Sequence, residues 1–276
     1  MLPPQSDAAF TPALGGMVVS GRIFVALALA AGLAGPAWAD DKPSCALRNL
    51  GLATVRTVVD GHTVVLADGR EVRLAGIEVP DDDRAKAALD AAVSGRNVIL
   101  AAIGPETDRY GRLVAVLFPD ANSTSIENSA QSTLLAAGMA QVAAHVGQPG
   151  CAALLRQAER PARTAGLGLW TDPHYLTRKA EDPSEILGDW GRFVVVEGKV
   201  VSVRESGGTI YVNFGRRWSE DFTVTVPKRS ERSFAALGLP LKKLAGRHVR
   251  IRGTIEERGG PWIEANTPEQ IEVDGD

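Results

Sequence analysis

Residues 58–81 read VVDGHTVVLADGREVRLAGIEVPD, and this stretch is the strongest architectural signal in the chain. Runs of β-branched residues in it are separated by the turn sequences DGH at 60–62 and DGR at 68–70. Such runs favour strands, and Asp-Gly pairs are typical of hairpin turns. Together with residues 50–57, the stretch therefore predicts an antiparallel meander.

The segments that follow alternate between helix and strand patterns. The alanine-rich segments begin with acidic residues or polar capping residues, as is typical of helices. The strand-like runs consist mainly of residues such as valine and isoleucine. The predicted helices are residues 81–96, 127–143 and 151–170, and the predicted strands are 97–103 and 113–118. Pro161 lies inside the third helix and either kinks it or divides it. We expect an α+β fold, mainly β, in which five strands close a barrel.

The composition changes after this region. Residues 173–187 contain two prolines and many polar groups, and we interpret them as a linker between a domain at 40–172 and another at 188–276. The second region contains five strand patterns with one helix between the third and fourth, which predicts a second small OB-like β-barrel. The strand patterns are 192–205, 209–215, 221–226, 248–257 and 261–265, and the helix pattern is 230–244.

Residues 1–39 have the pattern of a secretory signal peptide. Arg22 precedes an apolar run that ends in the small-residue sequence Ala37-Trp38-Ala39, and Met17 is an alternative start that gives the same mature chain. We therefore expect a secreted or periplasmic protein with no membrane span after cleavage. The formal net charge of -3 does not favour general polyanion binding, so any contact with nucleic acid must come from local patches.

The chain has two cysteines, Cys45 and Cys151. Both follow the predicted signal peptide, and an oxidising compartment favours one disulfide between them. The alternative is two separate buried thiols.

Three later segments extend the pattern of residues 58–81. They are DRYGRLVAVLF at 108–118, LLAAGMAQVA at 134–143 and GLGLW at 166–170. In this order and spacing, the series resembles the staphylococcal nuclease, or thermonuclease, family over residues 50–172. The resemblance implies an OB-type five-stranded barrel with three helices and, in active members, calcium-dependent hydrolysis of DNA and RNA.

The resemblance also implies roles for individual residues. Arg73 and Arg112 match the two phosphate-binding arginines of the family, and planar guanidinium groups suit that task because each can hold two phosphate oxygens. Tyr110 either contacts substrate or packs against the Arg112 loop. Ala144 and Val146 stand where the family often has base-stacking tyrosines, and His145 between them either contacts phosphate or is a surface residue.

The metal and base positions depart from the family pattern. His62 replaces a calcium-binding aspartate, Glu78 replaces a second metal-binding aspartate, and Asp81 stands where the general-base glutamate is expected. The backbone carbonyl of Thr63 remains available as a ligand. Calcium prefers oxygen donors, so His62 weakens a calcium site but suits manganese or zinc. Alternatively, His62 is a turn residue beside a vestigial site, and Asp60 shapes the hairpin.

Three functions remain open from the sequence. The first is a metal-assisted phosphodiesterase that uses Arg73, Arg112 and Asp81. The second is an inactive module that binds nucleic acid or another anion, and the third is an envelope scaffold whose C-terminal barrel recognises a protein or glycan. In that barrel, Arg216 and Arg217 lie beside Phe214 and Trp218 in the sequence. Either these residues form a stacking surface for single-stranded nucleic acid, or the two aromatic residues belong to the core.

Overall fold

A computed structural model describes residues 44–80, 82–120, 122–217 and 219–274. The predicted signal peptide and Asp81 lie outside these residues. All described residues belong to one compact unit. None of their helices is long and apolar enough to cross a membrane.

The first half of the described chain contains seven strands. They are β1 (Arg48–Asp60), β2 (Thr63–Leu66), β3 (Glu71–Leu74), β4 (Ile77–Glu78), β5 (Asn97–Ala102), β6 (Leu113–Phe118) and β7 (Gln141–Val142). Five of them pair in the order β1-β2-β3-β6-β5, and β1 also pairs with β5. All contacts in this order are antiparallel except β3 with β6. Strand β1 can pair with both neighbours because register shifts bend it along its 13 residues.

Three helices pack against these strands, namely α1 (Asp83–Val93), α2 (Ala130–Ala136) and α3 (Pro149–Ala165). Buried Gln131 ties α2 to β6, since its Nε2 donates to the Ala115 carbonyl at 2.9 Å and its Oε1 accepts from the Leu117 N–H. Pro161 does not divide α3, which is continuous. Helix α2 is shorter than the sequence pattern predicts, because Gly138 adopts a positive φ of 67° after it and Gln141–Val142 then pairs with β4.

The turn after α2 makes a close backbone crossing. The Leu169 N–H donates to the Gly138 carbonyl at 2.8 Å, and a Cβ on Gly138 would lie 2.3 Å from the Leu167 carbonyl oxygen. Gly168 has a positive φ and the same restriction toward Gly138. Glycine is therefore required on both sides of this crossing.

A disulfide joins Cys45 to Cys151, and the described residues contain no free cysteine. This confirms the predicted pairing over two separate thiols. The bond attaches the N-terminal segment to α3 across 106 residues of sequence. By chain entropy alone, closing a loop of this length stabilises the fold by at most about 4–5 kcal/mol.

The described residues of the second half form nine strands and two short helices. The strands are β8 (Arg178–Lys179), β9 (Phe193–Lys199), β10 (Ser202–Ser206), β11 (Thr209–Asn213), β12 (Thr223–Pro227), β13 (His248–Thr254), β14 (Glu256–Arg258), β15 (Gly260–Glu264) and β16 (Ile271–Val273). The helices are α4 (Pro183–Leu187) and α5 (Glu231–Ala236). One sheet has the order β10-β11-β12-β15-β14 and the other the order β16-β13-β9-β8, with a hydrophobic core separate from that of the first half.

Two of the predicted strands are each divided in the structure. Within 192–205, the Val200 N–H donates to the Arg247 carbonyl, whereas the Val201 N–H donates to the Asn213 carbonyl. The chain therefore leaves one sheet and enters the other at this point. Similarly, residues 248–257 form β13 in one sheet and β14 in the other, and the predicted helix at 230–244 contains α5 and a short 3-10 turn at Leu241–Lys243.

Candidate phosphate-binding site

The central residue of the candidate site is Arg73, on β3. The strand register pairs Arg73 with Thr63 on β2 and with Val114 on β6. Leu113, the first residue of β6, pairs with Val72, so Arg112 directly precedes the strand beside Arg73. The fold therefore brings the two predicted phosphate-binding arginines onto neighbouring parallel segments.

His62 is fixed by the turn between β1 and β2. Asp60 accepts a hydrogen bond from the His62 backbone N–H at 2.9 Å, and the His62 Nδ1 lies 3.1 Å from the same carboxylate. Asp60 therefore orders this turn, as expected for an Asp-Gly hairpin. The other ring nitrogen, Nε2, lies 3.3 Å from Nη1 of Arg73.

Arg73 stands between the two side chains predicted to bind a metal. Its Nη1 faces His62, and its Nη2 lies 3.4 Å from Oε2 of Glu78 on β4. The Arg73 side chain is 30% exposed, so an anion can approach it from solvent. Burial raises the pKa of Glu78 above its ordinary value, although the charge of Arg73 acts in the opposite direction.

Thr63 is almost fully buried, and its side-chain Oγ1 has no hydrogen-bond partner among the described residues. The strand pairing and the contacts of Arg73 therefore bring together the residues that the sequence predicts for the site, namely His62, Thr63, Arg73 and Glu78. Among the described residues, no group of three or more His, Cys, Asp or Glu side chains is placed to hold a metal ion. A nitrogen donor beside a carboxylate fits manganese or zinc better than calcium, which prefers a shell of oxygens.

Arg112 is held by its own loop. Its Nε donates to Oδ2 of Asp108 at 2.8 Å, while Oδ1 of Asp108 accepts the backbone N–H groups of Tyr110 and Arg112. Burial alone would raise the pKa of Asp108, but these hydrogen bonds and the charge of Arg112 lower it below its ordinary value. Asp108 therefore stays ionised and fixes the orientation of Arg112.

Tyr110 is exposed at the tip of this loop. Its ring lies 5.4 Å from the guanidinium carbon of Arg112 and 4.7 Å from that of Arg109. These are cation–π distances, so the ring supports Arg112 while remaining accessible. Of the two predicted roles for Tyr110, contact with the Arg112 loop is present, and contact with substrate stays a prediction.

The loop after β7 contacts the second half of the chain. Oε2 of Glu269 accepts the backbone N–H groups of Val146 and Gly147 at 2.8 and 3.2 Å, and Nδ1 of His145 lies 3.3 Å from Oγ1 of Thr267. Val146 is buried and His145 is exposed. The segment therefore serves as an attachment point for the C-terminal half.

Sequence reasoning missed Asp108 and Glu269 as partners of these segments. Asp108 was visible as an acidic residue four positions before Arg112, a spacing that closes a loop. No sequence pattern indicates the role of Glu269, because more than 120 residues separate it from Val146, whose N–H it accepts. Of the two alternatives for the segment around Phe214, the structure favours the core role for this ring, which packs on Phe222, while Arg217 is exposed and pairs with Glu220. Trp218 lies outside the described residues.

Fold and site together define an α+β protein, mainly β, that presents a partly exposed arginine beside a carboxylate on paired strands. Residues 71–172 match the family model described as staphylococcal nuclease homologue. The chain is 31% identical to the protein ParB of Escherichia coli over 153 residues, which is 51% of this chain and 79% of that protein. It is 29% identical to a micrococcal nuclease of Shigella flexneri over 151 residues, with coverages of 50% and 79%.

The chain therefore belongs to the staphylococcal nuclease family and is nuclease-like. The family resemblance expected from the motifs is confirmed. The match covers the region that carries Arg73 and Arg112 and leaves the C-terminal half outside it.

Proposed function

We propose that this protein hydrolyses phosphodiester bonds of nucleic acid at the site formed by Arg73, Glu78 and His62, with the help of a divalent cation. The observation that carries the proposal is the position of Arg73, whose partly exposed side chain lies next to a carboxylate, in a chain of the nuclease family. We also propose that the five strands around this site form an OB-type barrel and that residues 188–276 form an OB-like barrel.

Arg73 has the main electrostatic role in this proposal. Its guanidinium can turn from His62 and Glu78 toward a phosphate, because both contacts are at the long end of hydrogen-bond distances. There it binds two oxygens and compensates the negative charge that grows as the nucleophile attacks. Arg112, oriented by Asp108, gives a second contact to the same phosphate, and Tyr110 contacts the substrate beside it.

Three groups are proposed to hold the cation: the Glu78 carboxylate, the carbonyl of Thr63 and the His62 imidazole. Such an ion withdraws charge from the phosphate and promotes ionisation of water when bound. From its sequence position, Asp81 is proposed to accept the proton of the attacking water. An aspartate here has a shorter reach than glutamate, and a displacement near 1 Å can cost about a hundredfold in rate.

A second candidate function rests on a different observation. Within the described residues, Arg73 occupies the space between His62 and Glu78, and no cluster of three acidic or imidazole groups is present. A chain that kept its arginines without a working cation site would bind nucleic acid or another anion without turnover. The scaffold function, by contrast, requires no property of Arg73.

Cleavage assays separate these functions. We expect the mature protein to cleave end-labelled single- or double-stranded DNA or RNA when manganese, zinc, magnesium or calcium is present, and not in EDTA. Salt-sensitive binding without cleavage would instead establish the binding module, because phosphate contacts release counterions. If the protein neither bound nor cleaved nucleic acid, the scaffold function would remain.

The substitution His62→Asp tests the altered metal position. It replaces a nitrogen donor by a carboxylate, so the rate with calcium should rise about tenfold relative to the rate with manganese. The measurement is the ratio of initial cleavage rates in the two metals. His174→Asp, at an exposed position on another segment, is the matched control and should leave the ratio unchanged. An equal ratio in wild type and His62→Asp would exclude His62 from the cation site.

We also propose that the protein is exported to the periplasm or secreted. The support comes from the signal-peptide pattern of residues 1–39 and from the Cys45–Cys151 disulfide, since such bonds persist in oxidising compartments. Export can be checked by sequencing the N-terminus of the mature chain, which we expect to begin after Ala39.

A further inference from the structure

The five-stranded sheet of the second half aligns polar and aromatic side chains by its register. Tyr211 on β11 pairs with Arg204 on β10 and with Thr225 on β12. Two residues further along, Asn213 pairs with Thr223, which in turn pairs with Trp262 on β15. Directly paired residues point to the same face of a sheet, so these side chains form adjacent rows.

The opposite face of this sheet is apolar and packs into the second core. The residues that alternate with the rows are buried there, namely Ile210, Val212, Val224, Val226 and Ile263. The polar and aromatic face is therefore not needed to form this core.

A cavity of about 980 Å³ lies on the polar face. Its described lining includes three arginines, Arg204, Arg216 and Arg258, together with Tyr211 and Trp262. No acidic side chain is among these lining residues. The cavity therefore combines positive charge with aromatic rings.

The three arginines differ in their surroundings. Arg258 lies 4.8 Å from the Trp262 ring and pairs with Glu256 at 3.0 Å and Glu264 at 3.8 Å, so its charge is largely compensated. Arg204 and Arg216 are exposed and form no ion pair with the described residues. Their charges are available to an anion in the cavity.

Trp262 has an unused donor. Its side chain is more than nine-tenths buried, and its indole Nε1–H has no hydrogen-bond partner among the described residues. The ring of Tyr211 stands edge-on to it, with centroids 6.0 Å apart. The nitrogen itself is inaccessible to solvent, so Trp262 contributes aromatic surface to the cavity lining.

We propose that this cavity binds a segment of single-stranded nucleic acid. Nucleobases are planar, so they suit the aromatic rings of Tyr211 and Trp262, while the flanking phosphates suit Arg204 and Arg216. A sulfated glycan would satisfy the arginines but would lack an aromatic ring to stack. The site lies outside the nuclease-family region and does not depend on hydrolysis at Arg73.

The test is fluorescence anisotropy of a labelled twelve-residue oligothymidylate with the full mature chain in EDTA, where metal-dependent cleavage cannot proceed. We expect Arg204→Ala/Arg216→Ala to weaken binding at least tenfold. It should also reduce the slope of log K against log salt by about 1.4, since each single-strand phosphate contact contributes about 0.7. The matched control is Arg229→Ala/Arg232→Ala, at two exposed arginines outside the cavity, and it should bind as the wild type does.

A second variant tests base recognition. Tyr211→Phe keeps the ring and should bind within about twofold of wild type, whereas Tyr211→Ala should lose about tenfold, as expected for one stacked base. The proposal would be overturned by absence of oligothymidylate binding, by equal binding of the two arginine double variants, or by a sulfated oligosaccharide competing as well as unlabelled oligothymidylate. Because cleavage is not measured, failure of this site and failure of the nuclease function remain distinguishable.

Discussion

Arg73→Ala is expected to lower the rate of phosphodiester cleavage by about 10²–10³, the loss typical of removing one preorganised group that stabilises transition-state charge. The fold should be little affected, because the contacts of Arg73 to His62 and Glu78 are long and partly exposed. The loss should appear mainly in kcat, with a smaller change in KM, because the developing charge is greatest in the transition state.

Two further variants make this measurement specific. Arg73→Lys keeps a positive charge but not a planar pair of donors, so its rate should lie between those of wild type and Arg73→Ala. Arg56→Ala removes an exposed arginine of β1 and should cleave at the wild-type rate. If Arg73→Ala also cleaved at that rate, phosphate recognition would have to lie elsewhere.

Arg252→Ala is expected to lower the free energy of unfolding by about 3–5 kcal/mol, because it leaves a buried carboxylate without its cation. Arg252 on β13 and Glu159 on α3 are both essentially inaccessible to solvent, and they form two hydrogen bonds. Glu159 also accepts the Val142 N–H at 2.8 Å. The pair therefore attaches the C-terminal half to the segment that follows α2.

The other charges around this pair contact Glu159 less directly than Arg252 does. Arg163 lies 3.8 Å from Glu159, too far for a normal hydrogen bond, and Arg156 instead donates to the Glu269 carbonyl. Burial lowers the pKa of both arginines, while the neighbouring carboxylates partly oppose this effect. These arginines thus complete a network in which Arg252 has the most direct contact.

Urea unfolding with matched variants measures this effect. Arg247→Ala, at an exposed arginine beside β13, should change the free energy of unfolding by less than about 0.5 kcal/mol. Arg252→Met/Glu159→Met should be less destabilising than Arg252→Ala, because neither charge of the pair is left buried without the other. Equal stability of Arg252→Ala and Arg247→Ala would show that the pair contributes nothing to the attachment.

Local sequence patterns predict much of the first half. The Asp-Gly turn at Asp60 and the alternation through β2 and β3 are local signals, and they place His62, Thr63 and Arg73 next to one another. The cysteine pairing is also confirmed, since two cysteines in the chain allow one internal bridge. The helix boundaries are less accurate, because the end of α2 depends on a tertiary crossing between Gly138 and Leu169.

Long-range contacts explain what the sequence does not predict. The runs 192–205 and 248–257 each look like one strand, and only their hydrogen-bond partners reveal a change of sheet. Likewise, nothing near Glu159 in the sequence indicates that Arg252 neutralises it. The cavity beside Trp262 arises from the register of a five-stranded sheet, so its aromatic and basic residues are scattered from 204 to 262.

The most direct test of the central claim is the initial rate at which the mature wild-type chain cleaves one labelled oligonucleotide, measured in manganese, in calcium and in EDTA. We predict cleavage that requires a divalent metal, is faster in manganese than in calcium, and stops when EDTA is added. An intact oligonucleotide in every metal, or an equal rate in EDTA, would contradict metal-assisted hydrolysis at the Arg73 site.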